Sequence, residues 1–209
     1  MRSWVSRAGL AILLFAVSTA AGAQVDPGVG RDAAQSRNTE GLPAALQGID
    51  DVLAGGLLND PTTLEWDTYG ADLSREFKVD ESYPGGGAAV RLRQKRAGEV
   101  YASGVNIPLL ATVPAGETIT VGFYARTIES RADDAMGKVG VRFQLNRDPY
   151  PGFGDSVVNV GPEWKWYEVS AVADRELDGD GIVALQFGLA RQTVEVGQAI
   201  VVSGVNAIN

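Results

Sequence analysis

From Leu57 onward the chain is cut into short stretches, mostly 5 to 11 residues, rich in apolar side chains and divided by Gly, Pro, Asn and Asp. Helices need longer uninterrupted runs with a 3.6-residue period, whereas a strand needs only a few alternating positions. This punctuation predicts an all-β fold: a jelly-roll β-sandwich of two antiparallel sheets. Nine strands are expected, near Leu73–Val79, Ala88–Gln94, Val100–Leu110, Thr118–Ile128, Lys138–Asn146, Ser156–Val160, Trp164–Ala173, Ile182–Ala190 and Thr193–Ile208. Tyr83-Pro84-Gly85-Gly86-Gly87, Pro114-Ala115-Gly116 and Asp178-Gly179-Asp180-Gly181 supply turn chemistry between them.

Ahead of this region, Leu42, Leu46, Ile49, Val52, Leu53 and Leu57 recur at helical spacing and meet Gly55-Gly56. That predicts a short amphipathic helix over 42–56, leaving 57–209 for the sandwich. Gln24 to Gly41 lacks apolar periodicity and reads as a flexible tail. Met1 to Ala23 has the layout of a secretory signal, with Arg2 and Arg7, an apolar run from Ala8 to Val17, and Ala21-Gly22-Ala23 as the cleavage site. An exported protein, periplasmic or extracellular, starting at Gln24 and not held in a membrane, is the expectation. The ten-residue apolar run is too short to span a bilayer.

Charge and missing residue types narrow the chemistry. Lys and Arg number 18 against 26 Asp and Glu, a formal charge of -8, and loss of Arg2 and Arg7 would make it -10. Phosphate binding needs the opposite balance, so nucleic acid is not an expected partner. There is no cysteine, hence no disulfide and no lipidated-cysteine anchor. There is no histidine, which removes serine-histidine triads, histidine zinc sites and imidazole acid/base catalysis together.

Several segments in order carry a resemblance: LLNDPTTLEW at Leu57 to Trp66, then YPGGGAAVRL, VPAGETITVGFYAR at Val113 to Arg126, GPEWKWYEVS, and IVALQFGLARQTVEVG. Together they resemble the family 4/9 type of carbohydrate-binding module, over about 150 residues. The resemblance implies a galactose-binding-like jelly roll, commonly attached to secreted glycoside hydrolases, with glycan bound in a cleft or at a loop rim. It implies a glycan as partner, a separate secreted glycoside hydrolase as a second one, and a monomer. Such modules often hold a structural calcium ion through an Asp-Asp pair in the last strand. Here that place reads Val202-Ser203-Gly204-Val205, with Asn59 and Asp60 at the other end of the motif, so no cofactor is assigned beyond a possible calcium.

Sugar recognition pairs flat apolar ring faces with amide, carboxylate or guanidinium groups in exposed loops. Asn146 to Asp155 places Tyr150 and Phe153 among prolines and glycines, where they either present to solvent or fold back over the sandwich. Glu65 to Asp72 holds Trp66, which reads as structural, and Tyr69, which is open to either role. In Gly161 to Ala173 the residues Tyr167, Val169 and Ala171 share one face, while Trp164 and Trp166 fall on the other. The resemblance implies that Trp164 packs at the core edge and holds the sandwich, which leaves Trp166, pointing away from Tyr167, for ligand stacking unless Leu46 or Leu53 covers it. Tyr101, with Asn106 on the same strand, and Arg126, with Arg91 and Arg93, complete the candidates.

A glycosidase would need two carboxylates across a cleft. Glu65, Asp67, Glu163 and Glu168 have no recognisable spacing, and EWDTYG ends in Gly70 where a second catalytic Glu would stand. The sequence therefore reads as a non-catalytic carbohydrate-binding protein. The alternatives are an extracellular protein-interaction sandwich without a sugar site, and a small jelly-roll glycosidase or lyase.

Overall fold

Alternation decides which face of each strand is buried. In Gly137–Leu145, the residues Val139, Val141, Phe143 and Leu145 are buried and the residues between them point away from the core. The same two-residue period puts Ile119, Val121, Phe123 and Ala125 inside along Thr118–Ser130. The computed structural model describes residues 39–208, so the signal sequence and most of the tail lie outside the described residues. No helix among the described residues is long and apolar enough to cross a membrane.

The described chain forms eleven strands in two antiparallel sheets. They are β1 (Gly56–Leu57), β2 (Asp67–Tyr69), β3 (Leu73–Val79), β4 (Ala88–Gln94), β5 (Gly104–Pro108), β6 (Thr118–Ser130), β7 (Gly137–Leu145), β8 (Gly152–Val160), β9 (Lys165–Val172), β10 (Gly181–Gln186) and β11 (Gln192–Ser203). The back sheet runs β3-β4-β11-β6-β9, with β1 added beside β11, and the front sheet runs β2-β5-β10-β7-β8. Between them lies one apolar core in which Phe123, Phe143, Leu185 and Phe187 are fully buried. The chain is thus an all-β jelly-roll sandwich with a short N-terminal helix.

The ends of several elements differ from the sequence reading for local reasons. Helix is confined to a 3₁₀ turn at Ala44–Leu46 running into α1 (Gln47–Asp50), neither with a side-chain cap. A helix this short draws its stability from packing, here Leu42, Leu46 and Leu57 against Ile200 of β11. The Asp50 carboxylate accepts the Leu57 N–H, Gly55 takes a positive φ of 79°, and the chain turns into β1, which pairs with Val202 and Ser203. Strand β11 stops at Ser203, where Gly204 adopts φ 80°. The stretch from Val100 divides into a 3₁₀ turn (Val100–Ala102) and β5. Asn59 does not face solvent: its side chain donates to Ala199 O and accepts from Val201 N, just past a register shift of β11. Asp60 is engaged with Thr62.

Candidate functional site

Alternation also builds the site. On the outer face of the front sheet, the positions between core residues carry Asn106 on β5, Gln186 on β10, and Arg142 and Gln144 on β7. Asn106 and Arg142 both lie opposite Ala184, so their polar side chains flank one small residue on the floor of the central strands. Tyr69 at the end of β2 and Asp155 on β8 close its two sides. The result is a cleft of about 620 Å³.

Two connections raise its walls. The 3₁₀ turn contributes Val100 and Tyr101, and the loop between β7 and β8 contributes Asn146, Pro149 and Tyr150. Tyr101 is 63% exposed and Tyr150 52%, so both rings are offered to solvent rather than packed. Tyr150 has φ 58°, the left-handed region that non-glycine residues seldom occupy and that costs on the order of 1 kcal/mol or more. Its loop is tied down by Arg147, which bonds both oxygens of Asp178 and one of Asp180, and by Asn146 N donating to Asp180 O. The Arg147 hydrogen bond, supported by the Asp180 N–H, holds the Asp178 carboxyl below its ordinary value.

The floor is charge-balanced within itself. Arg142 is ion-paired with Asp155 and also donates to Gly152 O. Asn106, Gln144, Asn146 and Gln186 add neutral amides, and Asn106 Oδ1 is buried without a hydrogen-bond partner. An acceptor of this kind costs on the order of 1 kcal/mol or more until a donor reaches it. Burial pushes the Tyr69 phenol above its ordinary value, and a hydrogen bond with Gln186 partly offsets this. A face of neutral amides, one neutralised arginine and three tyrosine rings suits an uncharged molecule with many hydroxyls and apolar ring faces. Asp155 is the one carboxylate lining the cleft, and it is held by Arg142. No group of three or more acidic side chains among the described residues is arranged to hold a metal ion.

Of the residues singled out in the sequence, the cleft brings together Tyr69, Tyr101 and Tyr150, with Asn106 beside them. Phe153 is elsewhere. It is 6% exposed and stacks on Phe143 in the core, with ring centroids 5.7 Å apart. Trp166 and Arg126 project from the outer face of the back sheet, on the far side of the sandwich. Trp166 lies edge-on to Tyr124 at 4.8 Å, covers Gly122, touches the position of Ile208, and donates from Nε1 to Glu168. The Ile208 N–H donates to the same Glu168 carboxylate, which brings the C-terminal segment beside the ring. Arg126 bonds Glu195 and lies over the rings of Tyr83 and Trp164, at 5.1 and 4.9 Å, which pack on each other with centroids 5.3 Å apart. Trp66 is buried in the core.

Sequence reading missed Arg142, Gln144 and Gln186. Their signal was present as alternation: Val141-Arg142-Phe143-Gln144-Leu145-Asn146 places a hydrogen-bonding side chain at every second position. Such a pattern normally marks a solvated strand face, and only the order of strands in the front sheet sets these rows side by side.

No family model and no curated protein matches the sequence. Solved structures do match. A structure described as CBM4, a family 4 carbohydrate-binding module, superposes with a TM-score of 0.51 at 18% identity, over 66% of this chain and 94% of that one. What the two share is the jelly-roll sandwich fold. An arabinose-bound α-L-arabinofuranosidase, MgGH51, matches with a TM-score of 0.53 at 12% identity over 70% of this chain, which corresponds to 24% of that enzyme. The CBM22-1 xylan-binding domain of Xyn10C from Paenibacillus barcinonensis aligns over 74% of this chain and 98% of its own, at 14% identity and a TM-score of 0.49.

Proposed function

We propose that the chain is an exported, non-catalytic carbohydrate-binding protein that lays a neutral poly- or oligosaccharide across the front sheet. The observation that carries this is the cleft itself: solvent-facing Tyr101 and Tyr150 at its walls, Tyr69 at one side, and an amide floor with an unpartnered acceptor on Asn106. Pyranose rings stack on tyrosine faces, and their hydroxyls both donate and accept, so they match amides better than any single-function ligand does. Five strands at about 4.8 Å spacing make the floor about 19 Å wide, room for a short run of sugars. A lone, ion-paired carboxylate is not the pair across a cleft that a glycosidase needs, which supports binding over glycoside hydrolysis. The jelly-roll fold shared with a carbohydrate-binding module and the signal-like Met1–Ala23 segment support export to where polysaccharides are found.

The test is a binding screen of the chain from Gln24 by affinity electrophoresis and calorimetry. The glycans are soluble xylan, mixed-linkage β-glucan, arabinan, cellohexaose and xylohexaose. Binding to at least one of them, weakened tenfold or more by Tyr101→Ala and by Tyr150→Ala with unchanged thermal midpoints, is the expected result. Failure to bind any of them leaves the protein-interaction alternative in its place. Release of reducing sugar that vanishes in Asp155→Asn would overturn the non-catalytic assignment.

A further inference from the structure

Strand β3 ends the back sheet, with β4 on one side of it and no strand on the other, and most of its residues are exposed. The hydrogen bonds that bracket the β3–β4 hairpin fix which backbone groups face that open side. Lys95 N donates to Asp72 O and Asp80 N to Gly87 O, and both pairs keep the register that sets Leu73 opposite Gln94 and Val79 opposite Ala88. Hydrogen-bonded pairs alternate with non-bonded ones in an antiparallel ladder. Ser74, Glu76 and Lys78 therefore turn their N–H and C=O groups toward β4, while Arg75, Phe77 and Val79 turn theirs outward. Such an edge is a template for a further strand unless its side chains prevent it.

The side chains select the strand that fits. Phe77 and Val79 share one face of the edge, 55% and 74% exposed. Glu76 and Lys78 share the other, where Lys78 Nζ donates to Glu76. Arg75 bonds the carbonyls of Leu64 and Trp66, so its guanidinium is already engaged within the chain. Charges of one sign along an edge keep copies apart, but this edge carries both signs. Two copies related by a two-fold axis pair antiparallel, with outward-turned residues facing outward-turned residues. With Arg75 or Glu76 on the axis, that residue meets its own copy, like charge against like charge. With Phe77 on the axis, each Glu76 faces Lys78 of the second copy, the two phenylalanines meet, and Arg75 lies across from Val79.

We propose that the chain self-associates through β3, antiparallel and with Phe77 on the two-fold axis, so that two back sheets become one. The family resemblance implies a monomer; the charge order Arg75-Glu76-Phe77-Lys78 is what points to a pair. Continuing a sheet through an antiparallel edge preserves its faces, so both front sheets, and both clefts, come to lie on the same side. Only this last consequence rests on the carbohydrate-binding reading: one polysaccharide would be held at two places, and the second contact would be intramolecular.

The experiment is sedimentation velocity on the chain from Gln24, from about 1 µM to about 1 mM, because a single-strand seam belongs to the small, transient class of interfaces. A concentration-dependent dimer is expected for the wild type. Glu76→Lys and Lys78→Glu each set like charges across the seam, so each alone should stay monomeric, with a thermal midpoint close to wild type because an exposed ion pair contributes little. Mixed in equal amounts, the two variants bring opposite charges together again, and the mixture should dimerise, as should the double variant E76K/K78E. A monomeric wild type leaves the edge to a strand of another protein and overturns the self-pairing. Single variants that dimerise like wild type, or a mixture that stays monomeric, overturn it as well. On a bound polysaccharide the wild type should be retained about tenfold or more better than Lys78→Glu, while the two bind hexasaccharides equally; equal retention on the polysaccharide overturns the bivalent arrangement. Dimerisation without binding to any glycan overturns the carbohydrate-binding reading and leaves the β3 pairing in place.

Discussion

Removing Glu195 should be among the most costly single changes in this protein, and the reason lies in three adjacent strands. Glu195 on β11 stands opposite Arg91 on β4 and Arg126 on β6. Its carboxylate is fully buried and accepts from Arg91 Nε and Nη2 at 2.9 and 2.6 Å and from Arg126 Nε at 2.8 Å, with Arg126 Nη2 at 2.7 Å. Glu195→Ala leaves two guanidinium groups facing each other across the vacated site. Breaking a buried pair costs about 3–5 kcal/mol, most of it from the charge left behind. Here the arginines are 33% and 27% exposed and can recruit water, so the cost falls toward the lower limit, about 3 kcal/mol. For a domain of this size that is a drop in Tm of roughly 6–12 °C. The triple variant R91M/E195L/R126M removes all three charges together and should lie within about 1 kcal/mol of wild type, because desolvating the triad offsets most of its attraction. Urea unfolding followed by tryptophan fluorescence reads both variants, since Trp164 packs on Arg126. A Glu195→Ala protein within about 1 kcal/mol of wild type would refute the argument, as would a triple variant as unstable as the single one.

Trp166→Ala should lower stability by about 2–3 kcal/mol, less than a fully buried tryptophan because the ring is half-buried, and leave glycan affinity unchanged in the binding screen. Loss of affinity at unchanged stability would return Trp166 to the binding site. Arg147→Ala should loosen the loop that carries Tyr150 and weaken glycan binding several-fold, and 1 M NaCl should reproduce part of the loss in the wild type by screening the exposed ion pairs. The Asp178 carboxyl is held below its ordinary value, so the clamp is fully present above 3.8 and is lost as pH falls through the lower folded value. Calorimetric titration should therefore give a flat affinity from pH 8 to pH 5 and an acid decline that Arg147→Ala lacks.

The sandwich was legible because half of each strand must face the core. In VPAGETITVGFYAR the alternation alone places Ile119, Val121, Phe123 and Ala125 inside, and the structure agrees. Tyr150 was visible as an aromatic among prolines and glycines, and Tyr101 as one placed with Asn106 on an expected strand. Trp166 shows where this reasoning stops: alternation says that it points away from Tyr167, but which sheet owns the strand depends on the pairing of β9 with β6. Phe153 fails for a different reason. Glycines and prolines around it read as loop, yet β8 begins at Gly152, and a register shift between Val141 and Phe143 brings the ring onto Phe143. The cleft floor was invisible because it belongs to no contiguous segment. It exists only where β5, β10 and β7 lie side by side.

Both flanking segments of the sandwich pack on the same side. Leu42, Leu46 and Leu57 rest on Ile200 of the back sheet, and Ile208 lies against Gly122 and Trp166 on that sheet as well. These two apolar seams commit the outer face of the back sheet to holding the sandwich's own edges and leave the outer face of the front sheet to the cleft.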